Sequence, residues 1–186
     1  MLRKEMTKVE IEKELSGKGD YVLIDNMTRF LRENLPLDIK RFVYLKLVAV
    51  YEKRSMFADA AMIYNRLIEL SLTPQDKISC RIKAVECYIK AGFFDKADLE
   101  TKNFSGEVNA NERNKILISI KQFYFSQAQI YEKEKRRSLA IKTYEKILEM
   151  NLLDIEKNDI NKRLLILYKE TGMVKEYMDM RKKLGV

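Results

Sequence analysis

The chain of 186 residues has no histidine and no tryptophan, and only two cysteines, two prolines and six glycines. Without histidine it lacks the commonest general base, metal ligand and pH switch. Carboxylates, lysines and tyrosines remain able to catalyse. Yet there is no glycine-rich phosphate loop, HExxH helix, nucleophile elbow or metal-spaced cluster. No enzyme activity, catalytic residue, metal site or cofactor is therefore expected. Cys80 and Cys87 lie seven residues apart in one predicted helix. That spacing sets them about 10 Å apart on one face, beyond the roughly 7 Å a disulfide tolerates. They read as two small buried thiols, since no third ligand completes a metal or redox pair. No window approaches the roughly 18 uninterrupted apolar residues of a membrane span. The opening residues MLRKEMTKVEIEKEL are charged throughout and have no apolar signal core. The expectation is a reduced, cytoplasmic protein that does not insert in membranes.

Scarce proline and glycine suit long helices joined by short turns, and 46% hydrophobic residues suffice for a substantial core. The stretch YEKRSMFADAAMIYNRLIEL, residues 51–70, shows the plan most clearly. Tyr51 closes one helix, Ser55 permits a turn, and Phe57 and Tyr64 share a face of the next helix. Ala60 lies between them, where a small side chain lets two backbones approach. Counterparts of Ser55 fall at Gly19, Gly92, Lys135 and Gly172, at successive spacings of 36, 37, 43 and 37 residues. A period in the thirties, with one small or flexible residue between two helical segments, predicts stacked helical hairpins.

Five units follow, at about 5–36, 41–74, 78–110, 121–151 and 159–184. In the first, Val9, Ile11 and Leu15, then Tyr21, Ile24, Phe30 and Leu31, are expected inward, and Pro36 ends the second helix. In the second, Tyr44, Leu47, Val48 and Tyr51 make an i, i+3, i+4, i+7 stripe. Pro74 marks its exit, and Thr73 or Asp76 caps the helix that follows. In the third, Ile82, Val85, Cys87 and Tyr88 face inward. The polar stretch 105–114, SGEVNANERN, reads as a long loop that accounts for the spacing of 43. In the fourth, Tyr124, Ala128, Tyr131, Ala140 and Tyr144 echo the second unit, and the turn EKRR must be made without glycine. In the fifth, Met173, Tyr177 and Met180 are expected exposed and available for self-association.

This pattern resembles the tetratricopeptide repeat, in which two antiparallel helices form each unit of about 34 residues. Unit two carries the signature at Tyr44, Leu47, Tyr51, Ser55, Phe57, Ala60 and Tyr64, and unit four at Tyr124, Ala128, Tyr131, Ala140 and Tyr144. Unit three keeps Tyr88, Gly92, Phe94 and Ala97. The terminal units are degenerate. The resemblance implies an all-α fold, an α-α superhelix (solenoid) of about five hairpins forming a single domain over 1–186. It implies a non-catalytic scaffold or adaptor that binds another protein through the groove lined by each first helix.

Carried over by position, the groove consists of Phe42, Leu45, Lys46, Ala49 and Lys53 in unit two, and Ile82, Lys83, Glu86, Ile89 and Lys90 in unit three. Unit four adds Gln122, Phe125, Gln129 and Lys133, and unit five Lys162, Arg163, Ile166 and Lys169. The expected partner-binding residues are Phe42, Lys46, Lys53, Lys83, Lys90, Phe125, Lys162 and Arg163. This mixture suits an acidic segment with apolar anchors. Chaperone-tail binding is not expected, because Ala49, Glu86, Gln129 and Ile166 replace the asparagines of the family's carboxylate clamp.

Net charge is +8, and it is uneven. Residues 1–110 carry 19 basic and 17 acidic side chains, net +2, and residues 111–186 carry 17 and 11, net +6. Lys133, Lys135, Arg136 and Arg137 form a candidate RNA or phosphate contact. The alternative function is thus an accessory factor of an RNA-containing assembly such as the ribosome. The packing register makes a direct prediction. Ala60→Leu overpacks a helix crossing and costs about 1–3 kcal/mol, so it lowers the melting temperature more than Lys53→Leu does; the reverse order in thermal denaturation refutes the register.

Overall fold

The structure, a computed structural model, describes residues 2–185, apart from the side chains at 104 and 105. Among the described residues there are ten α-helices and no strand. They fall into two compact units, 1–108 and 109–186.

The first unit holds α1 (Lys8–Leu15), α2 (Asp20–Phe30), α3 (Leu37–Lys53), α4 (Phe57–Glu69), α5 (Pro74–Lys90) and α6 (Phe94–Ser105). From α2 onward each helix packs on the next, as short connections demand. Thr7 starts α1 with a capping box, its hydroxyl accepting from the Glu10 amide while the Glu10 carboxylate accepts from the Thr7 amide. Thr73 caps α5 by accepting from the Asp76 amide at 3.1 Å, and Pro74 occupies the first turn, where no N–H is needed. Leu2 and Leu35 fold in from outside the helices to join Ile11, Leu15, Met27, Phe30, Val43 and Leu47 in the core. Ala60 and Ala61 are wholly buried on α4, and Cys80 and Cys87 are free, buried thiols.

The second unit holds α7 (Ala110–Lys133), α8 (Arg137–Leu148), α9 (Asp154–Thr171) and α10 (Val174–Leu184), again packed in sequence. Ala140 is wholly buried, and the rings of Tyr124, Tyr131 and Tyr144 are each 1% exposed.

Four helix ends share one device. The residue after the helix takes a left-handed conformation at Ser55 (φ 56°), Gly92 (76°), Lys135 (56°) and Gly172 (71°). The next amide then donates to the carbonyl of a tyrosine five residues back: Met56 to Tyr51, Phe93 to Tyr88, Arg136 to Tyr131 and Met173 to Tyr168, at 2.9–3.0 Å. This satisfies a carbonyl that the helix terminus would otherwise leave unpaired.

Residues 41–92 and 121–172 repeat one another at an offset of 80. Tyr64 donates to Glu52 and Tyr144 to Glu132. Asn65 donates to the Tyr88 hydroxyl, and Tyr168 donates to Glu145. Arg41 bonds Asp76 through both guanidinium nitrogens, and Lys121 bonds both oxygens of Glu156. One pair is altered in kind: Lys90 lies 5.3 Å over the Phe57 ring, while the matching Arg137 pairs with Glu170 at 2.6 Å.

Several expectations are corrected. Gly19 is the N-cap of α2 with φ −67°, and the left-handed glycine of the first hairpin is Gly17. Pro36 does not end α2, which stops at Phe30; it is the N-cap of α3. Val9 and Tyr21 face outward at 76% and 66% exposure. Tyr21 instead lies under the Arg54 guanidinium, 4.7 Å from its carbon, and accepts a hydrogen bond from it. Ile82 is only half-buried. The 105–114 loop shrinks to residues 106–109, because Asn109 caps α7 by accepting from the Glu112 amide at 2.9 Å. The extra residues lengthen a helix. Met180 is buried, whereas Val174 and Met178 are the exposed apolar residues of α10. α9 begins at Asp154, and Glu156 in its first turn accepts from the Leu153 amide.

A left-handed conformation costs a residue with a Cβ about 1–2 kcal/mol. Lys135→Gly and Ser55→Gly should therefore each stabilise the fold by about 1 kcal/mol. Gly172→Ala should destabilise it by φ alone, since nothing lies within 4 Å of the added carbon. Urea denaturation of the three variants checks the signs.

Candidate interaction surface

In the first unit the candidate groove residues lie on α3 and α5. Phe42 is half-buried beneath Lys46, whose ammonium is 5.4 Å from the ring centre. Lys46 pairs with Glu12 of α1, and Lys53 reaches Asp20 at 2.8 Å. Lys83 and Lys90 converge on Glu86 at 2.9 and 2.7 Å. Each of the four lysines thus already faces a carboxylate. Ile89 is wholly buried and lines no groove.

These partners shape local protonation. Burial alone would raise Glu86, but the Lys90 and Lys83 ammonium groups outweigh it and hold the carboxyl below its ordinary value. Lys83 is raised, chiefly by its bond to Glu86. Behind them, Glu52 accepts from Tyr64 at 3.3 Å and from the Cys87 thiol at 3.7 Å. Burial, reinforced by the Glu52 charge, pushes Cys87 up to about 12, so the thiol is kept neutral and unreactive. Among the described residues no group of three potential metal ligands occurs.

Beside this face lies a cleft of about 530 Å³ between α1, the start of α3 and the turn into α5. Its apolar lining is Leu37, Phe42, Leu45, Leu70 and Leu72. Leu37 and Leu72 protrude at 69% and 83% exposure. The Lys8–Asp38 pair stands at its rim, with the Arg41–Asp76 pair.

The second unit differs in charge. Arg163 bonds Glu132 and Asp159, both at 3.0 Å, and is raised chiefly by Asp159. The Lys121–Glu156 and Arg163–Glu132 pairs bring α7 and α9 side by side, running the same way. On their outer surface Phe125 is half-buried, Ile166 is 59% exposed, and Gln122, Gln129, Lys133, Lys162 and Lys169 are exposed. Lys133, Lys162 and Lys169 have no ion-pair partner among the described residues. The candidate phosphate cluster is only partly available. Among the described residues Lys133 and Lys135 have no ion-pair partner, but Arg136 stacks on Tyr131 at 4.9 Å and contacts Glu134, and Arg137 is committed to Glu170.

The neutralising acids were missed by reading lysines alone. Their signal is present in the spacing: Glu12 and Lys46, like Asp20 and Lys53, are one repeat period apart.

Glu86 supplies a pH test. Its folded pKa is depressed, so its contribution is fully present above the ordinary value of 4.5 and is lost as pH falls through the folded value. Glu86→Gln should destabilise at neutral pH by about 1–3 kcal/mol, and the gap to the unaltered protein should narrow in acid, as followed by urea midpoints at pH 7 and pH 3. Comparison with family models, with curated proteins and with solved structures finds no match to this chain.

Proposed function

We propose that this chain is a non-catalytic, tetratricopeptide-like interaction scaffold of the cytoplasm whose α7–α9 face takes an acidic protein segment with apolar anchors. The observation that carries this reading is the contrast in charge. The lysines facing outward on α3 and α5 are neutralised by neighbouring acids, while Lys133, Lys162 and Lys169 are not. Ile166 and Phe125 offer apolar contact between them. Unpaired cations steer an acidic partner, and apolar contacts supply the larger part of affinity.

The same charges favour a second reading, contact with RNA through Lys133, Lys135 and Arg136, supported by the net +6 of residues 111–186. Phosphate contacts of that kind release counterions and weaken steeply with salt. Among the described residues no helix is long and apolar enough to cross a membrane.

Reversing Lys46 or Arg163 would break pairs that join two helices, and reversing Lys83 would set two carboxylates side by side on α5, so the informative variant carries Lys133→Glu, Lys162→Glu and Lys169→Glu. Affinity purification from the native organism's extract should recover protein partners that persist after nuclease and are lost with this variant. Capture that disappears with nuclease instead supports the RNA reading, and capture unchanged by the variant refutes the α7–α9 face.

A further inference from the structure

The 80-residue repetition allows each position in 41–92 to be compared with its counterpart. Tyr44, Leu47 and Tyr51 of α3 match Tyr124, Gln127 and Tyr131 of α7. The second set is closed off, with both tyrosines at 1% exposure and Gln127 at 6%. The first is open. Tyr44 and Tyr51 are half-buried at the floor of a cleft of about 460 Å³. Thr28, Leu31 and Arg32 wall it on the α2 side, and Met62, Asn65 and Arg66 on the α4 side. Helical periodicity puts this floor on the face of α3 opposite Phe42 and Lys46, so it is separate from the surfaces described above.

Three features define what fits. The floor from Tyr44 to Tyr51 spans seven residues, roughly 10 Å, or two helical turns. Its surface is apolar, with Leu31 and the 64%-exposed Met62 at the edges. The walls are polar, and their two cations, Arg32 and Arg66, outnumber the one carboxylate, Glu69. Among the described residues Thr28 Oγ1 and Asn65 Oδ1 are buried without a hydrogen-bond partner, and Asn65 donates one of its two amide hydrogens to Tyr88 at 2.8 Å. Arg32 has no ion-pair partner among the described residues, and Arg66 makes only a 3.4 Å contact with Glu69.

We infer that this cleft is a docking site for a short amphipathic helix of a partner protein, with aliphatic residues two turns apart and carboxylates on its flanks. The aliphatic side chains cover the two tyrosine rings. The carboxylates meet Arg32 and Arg66. This closes in trans the position that is closed within the chain at Tyr124 and Tyr131.

The test uses the full chain and a fluorescein-labelled helical peptide with leucines at i and i+7 flanked by aspartate and glutamate. Two control peptides replace the acids by lysine or the leucines by serine. Anisotropy should show saturable binding of the acidic leucine peptide only. Arg32→Glu with Arg66→Glu, and separately Met62→Glu, should weaken it by about tenfold or more, while Lys142→Glu, at an exposed position of α8, leaves it unchanged. All are surface positions, and circular dichroism melts establish that each variant folds. Restored binding of the lysine peptide to the double arginine variant supports the site further. Equal binding of the control peptides, indifference to the cleft variants, absence of saturable binding, or displacement by oligouridine through the same arginines each overturns it.

Discussion

The left-handed residue that ends four of the long helices is the constraint on which both units depend. It lets the following amide turn back to a tyrosine carbonyl, and it thereby sets the angle at which the next helix leaves. At Tyr88, Tyr131 and Tyr168 the residue whose carbonyl is used also contributes a buried ring, while Tyr51 is half-buried. At Tyr88 and Tyr168 the hydroxyl of that ring is bonded to the preceding hairpin, through Asn65 and Glu145. Backbone closure, core packing and a polar link between hairpins thus converge on one residue. A hairpin cannot bury its apolar stripe alone, so such links between successive hairpins are where specificity of stacking resides.

Charge tells a different story on the two units. Counting lysines from the sequence makes the α3 and α5 faces look like a binding surface for acids. Once folded, Glu12, Asp20 and Glu86 occupy those lysines. Pairs of this exposure add little to stability, but they remove the field that would attract a partner. The surplus positive charge that survives folding is carried by side chains, among them Lys133, Lys162 and Lys169, that meet no carboxylate among the described residues.

The helices, four of the five turns and the small alanines at helix crossings were readable because each follows from local chemistry. The misread positions share another cause. Gly19 and Gly17 are two residues apart, and only backbone geometry distinguishes a cap from a left-handed turn. Asn109 was read as loop because its polarity suits both a loop and an N-cap. Tyr21 fits the apolar pattern, but Arg54, 33 residues away, offers its ring a cation and its hydroxyl a donor. In the candidate surface, residue positions were readable, whereas availability was not. Availability depends on where the partners fold, whether a full period away, as for Lys46 and Lys53, or one turn away, as for Lys83 and Lys90.

The altered pair within the internal repetition has a consequence for assembly. Two copies with matching bonds could exchange partners as the chain collapses, α4 seating against α9, or α8 against α5. The exchange would set Arg137 beside Lys90, two cations in contact, and would leave Glu170 against the Phe57 ring with no cation. Each copy therefore carries half of a key that only its own neighbour completes, and the chain is steered from mispairing by repulsion at a single position.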